Sequence, residues 1–164
     1  MRRQLVPGGS AVADDEDEIL AAELGKIGAK GAGLGVAVGG AVGVASKRGG
    51  AGGAAFAGRR LRKNVHEIEM TLAAPLDEVF VQVVSLVGSM GRVVAQAGPS
   101  DGRAIVRGVL GAGIMDLNPA VVTVTMVPAG DSGTSVQIRG AAKEGLIKQR
   151  AGQKAAERLA ALLR

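Results

Sequence analysis

The 164-residue chain has no cysteine, tryptophan or tyrosine, one histidine and two phenylalanines. Without cysteine there is no disulfide, no thiolate metal ligand and no cysteine nucleophile, a composition that fits a reducing compartment. A single histidine excludes a multi-histidine metal centre. A serine–histidine–aspartate relay would have to use His66, which falls on a predicted strand among glutamates. With Phe56 and Phe80 as the whole aromatic complement, the chain lacks the stacking platform of single-stranded nucleic-acid binders. Met1 to Gly9 carries Arg2 and Arg3 but no apolar run before Asp14, so it is not read as a secretory signal, and a cytoplasmic protein is expected. The residues assign no catalytic group, metal ligand or cofactor.

What the chain has in quantity is glycine, 27 residues, and a net charge of +5 that is unevenly spread. Residues 1–65 hold ten Lys or Arg against six acids, and residues 66–164 hold ten against nine, so the basic excess belongs to an amino-terminal extension. Two regions are expected: an extension, residues 1–64, and a small folded domain, residues 65–164. In the extension, Asp14 to Glu18 precede Ile19-Leu20-Ala21-Ala22-Glu23-Leu24, a short helix with acids at its positive end. Consecutive acids do not converge on one ion as spaced loop ligands do, so this run is read as a solvated helix start.

From Gly31 to Ser46 no residue is charged, and Gly31, Gly35, Gly39 and Gly43 recur every four residues among Leu34, Val36, Val38, Val42 and Val44. On a helix these glycines would form one groove, the glycine-zipper pattern that admits a second apolar helix at close range. Sixteen residues rise only about 24 Å as a helix against about 30 Å of hydrocarbon. A flexible linker, association with an anionic membrane surface, and homo-oligomerisation through residues 31–46 all remain open. Gly33, Gly35 and Gly39 also approach a dinucleotide fingerprint, but no buried strand precedes them, and no glycine-lysine-serine or glycine-lysine-threonine closes a phosphate loop. After a further glycine-rich stretch, Arg59, Arg60, Arg62 and Lys63 form a basic patch able to attract phosphates of lipid or nucleic acid. Nucleic acid is the less favoured partner.

The folded region is organised around residues 66–91. Ile68, Met70 and Leu72 alternate with Glu67, Glu69 and Thr71, as on a strand with one buried face. Pro75 suits a first helical turn, Asp77 and Glu78 complement its positive end, and Leu76, Val79, Phe80, Val83, Val84, Val87 and Met90 form one apolar face. Truncating Phe80 or Val84 to alanine should cost roughly 2 to 5 kcal/mol. Strands are predicted over 92–97, 103–110, 121–127 and 134–139, joined by turn residues at 98–102 and 128–133. Between the second and third of these lies an apolar loop, 111–119, with Ile114, Met115 and Leu117 and one acid, Asp116, that has no identifiable acid or base partner. A last helix over 148–163 sets Ala151, Ala155, Leu159 and Leu162 on its apolar stripe. The fold class is therefore α+β: an antiparallel sheet of about five strands with two helices packed on one face, in the order strand, helix, four strands, helix.

The stretch Glu69-Met70-Thr71-Leu72-Ala73-Ala74-Pro75-Leu76-Asp77-Glu78-Val79-Phe80 resembles the first strand and helix start of the START-like helix-grip superfamily, also described as polyketide cyclase-like. The resemblance spans residues 66–164 and implies a small hydrophobic ligand held between the sheet and the terminal helix. This chain is shorter than that pattern, without its additional short helix and some of its strands. The leading functional reading is a non-enzymatic α+β domain on a glycine-zipper extension that mediates membrane or partner association. The alternative is a hydrophobic-ligand carrier or cyclase-like protein with Phe80, Val84, Ile114, Met115 and Leu159 lining its pocket; basic-patch nucleic-acid binding comes third.

Overall fold

The computed structural model describes residues 9–31, 61–112, 118–144 and 149–164. The chain divides into two compact units, residues 1–61 and 62–164. In the first, helix α1 runs over Gly9–Gly31, 23 residues rather than the short helix expected. It starts five residues before the acidic run, so its first turn holds no acid, and the predicted pairing of those carboxylates with the positive helix end is not made. Leu20 and Ala21 are buried, and the Lys26 ammonium donates to Glu23 Oε1 at 2.7 Å, one turn away. Gly31 ends α1, whereas Gly35, Gly39 and Gly43 lie outside the described residues. No described helix is long and apolar enough to cross a membrane.

The second unit holds β1 (Arg62–Leu72), α2 (Leu76–Met90), β2 (Gly91–Ala97), β3 (Ala104–Ala112), β4 (Asn118–Ala129), β5 (Gly133–Glu144) and α3 (Ala151–Leu163). The strands form one antiparallel sheet in the order β1-β5-β4-β3-β2. Strands β1 and β5 run longer than the hydrophobic alternation alone suggested, because the register Arg62↔Glu144 to Leu72↔Thr134 continues the ladder through polar residues. Backbone pairing does not depend on side-chain polarity, and only the alternation does. Pro75 stands before α2 in an extended conformation, its carbonyl accepting from Val79 N–H at 3.1 Å, with Asp77 and Glu78 in the first turn as expected. At the β4–β5 turn Gly130 has φ +68°, a left-handed conformation in which a side chain would be strained.

Both α2 and α3 lie on one face of the sheet, α2 against β3 and β2 and α3 against β5 and β1. Between helices and sheet Val79, Val83 and Val87 of α2 and Ala155, Ala156, Leu159, Ala160 and Leu163 of α3 meet Val106, Leu110, Val122, Val124, Met126, Val136 and Ile138. Leu163, not Leu162, completes the buried stripe of α3; Leu162 is half exposed. The helix begins at Ala151, after Arg150 turns the chain with φ 53°; its buried stripe is centred on Gly152, Leu159 and Leu163, and Leu162, about 100° round the helix from Leu163, falls at the edge.

The opposite face of the sheet carries a polar row set by the register: Arg107 of β3, Thr123 of β4, Arg139 of β5 and Glu67 of β1 stand side by side. Arg107 Nε donates to Thr123 Oγ1 at 3.1 Å, and Arg139 Nη1 donates to Glu67 Oε1 at 2.5 Å. Val121, Thr123, Arg107, Ala141 and Lys143 of this face are buried.

Candidate functional site

The layer between the sheet and the two helices is where the resemblance places a ligand, and its construction follows from which residues are small. Gly140 of β5 and Gly152 of α3 face each other with nothing between them. A Cβ on Gly140 would stand 2.1 Å from the Gly152 carbonyl oxygen, and one on Gly152 would stand 2.9 Å from the Gly140 carbonyl oxygen. The first turn of α3 is thus seated backbone to backbone on the sheet, and Ala151, Ala155 and Ala156 continue the close contact along the helix. At this end the layer is closed.

Glu144 fixes the same end. Its side chain, 7% exposed, accepts from Ala151 N–H at 2.9 Å through Oε1 and from the Asn64 amide at 3.5 Å through Oε2. A carboxylate here satisfies one of the orphan donors at the start of α3 and stands at the positive end of its dipole. Register puts Arg62, Asn64 and His66 of β1 opposite Glu144, Ala142 and Gly140 on the same face of the sheet, so the polar groups of this layer gather around the α3 start.

Away from that end the layer is apolar and less closed. Ile68, Met70 and Leu72 of β1 and Leu76, Phe80 and Val84 of α2 pack against the buried core and stay partly exposed. Their paired neighbours on β5, Ile138 and Val136, are wholly buried. Three of the six belong to edge strand β1 and three to α2, which packs on β3 and β2.

Of the residues predicted to line a pocket, Phe80 and Val84 fall in this half-open set, and Leu159 is wholly buried at the centre of the core cluster. Ile114 and Met115 lie outside the described residues. Of the basic patch, Arg62 and Lys63 are the first residues of β1, part of the folded sheet and not of the extension; Arg59 and Arg60 lie outside the described residues. Sequence reading missed Gly140, Gly152 and Glu144. A signal was present in Gly140-Ala141-Ala142, three small residues in succession on a strand whose core face begins with Val136 and Ile138. A separate concavity lined by Asp77, Glu78, Val81, Gln82, Ser85 and Leu86 runs along the outer side of α2 and is wide open to solvent.

No family model matches the chain, and no curated protein matches it. Among solved structures it is similar to the Zhui aromatase/cyclase of a Streptomyces species, with 12% identity, 62% of this chain and 88% of that one covered, and TM-score 0.33. It is similar to an uncharacterized protein of Rhizobium leguminosarum at 13% identity, covering 62% and 92%, with TM-score 0.33. A third is Ara h 8.0201, at 13% identity, 62% and 93% coverage and TM-score 0.34. In architecture, with strand, helix, four strands and helix in order, β1 paired to β5 and the last helix laid over both, the chain resembles the START-like helix-grip superfamily.

Proposed function

We propose that residues 62–164 bind a small apolar molecule at the half-open side of the layer between sheet and helices. The observation that carries this reading is the set Ile68, Met70, Leu72, Leu76, Phe80 and Val84, core-facing side chains that remain partly open to solvent. Because Gly140 and Gly152 close the opposite end, the ligand is held by the flank of α2 and the edge strand, and a large enclosed cavity is not needed. A flexible acyl chain fits such a surface better than a rigid polycycle. Its contacts are non-directional and scale with buried apolar area, at roughly 25 cal/mol per Å² before the costs of association.

The absence of tryptophan makes the test direct. Phe80→Trp introduces a single indole reporter, and titration with dodecanoate should give a saturable blue shift of its emission and raise the thermal midpoint of the full chain. An unchanged spectrum and an unchanged midpoint through the solubility limit of dodecanoate would defeat the proposal. The extension keeps its own proposal, membrane or self-association through residues 31–46 and the basic patch. Its support is the four-residue glycine period, and liposome cosedimentation is its test.

A further inference from the structure

The core face of β1 changes character halfway along. Arg62, Asn64 and His66 stand in line with Ile68, Met70 and Leu72 on that face, polar residues first and apolar ones after, in steps of about 6.6 Å. Two of the polar residues are committed at the α3 start: Asn64 donates to Glu144 Oε2 at 3.5 Å, and Arg62 stands opposite Glu144 in the register. His66 is not. It is the chain's one histidine, it is half-buried, and among the described residues it makes no hydrogen bond or ion pair. Its register partner is Gly140, whose missing side chain lets α3 touch the sheet, so His66 stands where the closed end of the layer meets the apolar run of β1.

We infer, on the reading that the domain takes up an acyl chain, that His66 binds the head group of that chain and that the head group is a carboxylate. Charge decides the orientation. Glu67 and Glu69 alternate onto the other face of β1, and Glu144 has its oxygens held by Ala151 N–H and Asn64, two register steps beyond the His66 pair. At the far end of the run, Leu72 leads within a few residues into Asp77 and Glu78 of the first turn of α2, which would repel a carboxylate. The acyl chain therefore runs from His66 past Ile68 and Met70 toward Leu72, a span of about 20 Å on the strand. The imidazole donates an N–H to a carboxylate oxygen, a charge-assisted bond stronger than the one it makes to a neutral oxygen. A fatty alcohol of the same length keeps the apolar contacts and has only the weaker bond.

The test is NMR of the untagged full chain at neutral pH, titrated with dodecanoate and separately with 1-dodecanol. With a single histidine in the chain, the imidazole gives one set of ring signals, and no substitution is needed to follow it. Dodecanoate should move these signals and the Ile68 and Met70 methyls along one saturation curve, and should bind about fivefold or more tighter than dodecanol. In His66→Phe, which keeps a ring and removes the donor, the two affinities should converge. Methyl shifts from dodecanoate with stationary imidazole signals would overturn the role of His66 while leaving acyl binding intact. Equal affinities for acid and alcohol in the parent, or a preference for the acid that survives in His66→Phe, would do the same. Methyls that move with neither compound would defeat acyl binding itself, and the head-group site with it.

Discussion

Replacing Gly140 by alanine tests how α3 is seated. The new methyl would lie 2.1 Å from the Gly152 carbonyl oxygen, 2.9 Å from the Gly152 carbonyl carbon and 3.1 Å from the Ala156 Cβ, where ordinary contact begins at 3.4 Å. The first two neighbours are backbone, so no side chain can swing aside, and α3 must lift by about 1 Å along its first turn. That movement also stretches the 2.9 Å bond from Ala151 N–H to Glu144. Overpacking of this kind costs roughly 1 to 3 kcal/mol. Loss of glycine from a strand returns about 0.5 to 1 kcal/mol, leaving a net loss of about 1 kcal/mol. For a cooperative unit of this size that lowers the melting temperature by about 4 to 8 °C. The control is Gly98→Ala, where a Cβ meets nothing within 4 Å and φ is not positive, so the midpoint should move little or rise slightly. Far-UV circular dichroism is the assay, since no tryptophan or tyrosine reports on the core. Equal midpoints for Gly140→Ala and the parent would refute the backbone-to-backbone seat.

Other outcomes follow from the same geometry. Glu144→Ala removes the acceptor at the α3 start and should cost about 1 to 2 kcal/mol in urea unfolding, while Glu144→Gln, which keeps an oxygen there, should cost less than half as much. Val83→Ala, at a wholly buried position, should cost about 2 kcal/mol, whereas Val84 is only partly buried, which brings Val84→Ala below the roughly 2 to 5 kcal/mol that its place on the apolar face suggested; matching losses would contradict the assignment of the two to different flanks of α2. In cosedimentation with anionic and neutral liposomes, the full chain should pellet with anionic vesicles. Resistance to high salt would point to residues 31–46 and release by salt to the basic patch, whereas failure to pellet with either would end the membrane reading.

The parts of the fold that were legible in the sequence are those where side-chain pattern and backbone agree. Ile68, Met70 and Leu72 announce a half-buried strand, Pro75 with Asp77 and Glu78 announces a helix start, and Val122, Val124 and Met126 announce the inner face of β4; all stand where the alternation and helical period put them. Strand ends were less legible because Arg62, Lys63, Lys143 and Glu144 join the ladder through backbone groups that carry no sequence signal. The burial of Thr123 and Arg107 was not legible either, since alternation specifies which face a residue takes and not whether that face is covered. Residues of the proposed site were visible in part. Phe80 and Val84 follow from the helical period, but the Gly140–Gly152 contact is a pairing between residues of different elements, and a single sequence gives no sign that two glycines will meet. Leu162 was misplaced because Leu162 and Leu163, three and four residues after Leu159, both lie on its side of the helix, and packing alone decides which of them is buried.

The central claim is that the half-open side of the core layer takes up an apolar molecule. Methyl-resolved NMR of the full chain labelled at isoleucine, leucine, valine and methionine, titrated with dodecanoate, tests it most directly. Saturable shifts should concentrate on Ile68, Met70, Leu72, Leu76 and Val84, with Val81 and Val127, exposed elsewhere on the surface, left unmoved. Shifts confined to Val81, Val127 and Leu162, or no shifts at all, would contradict the claim.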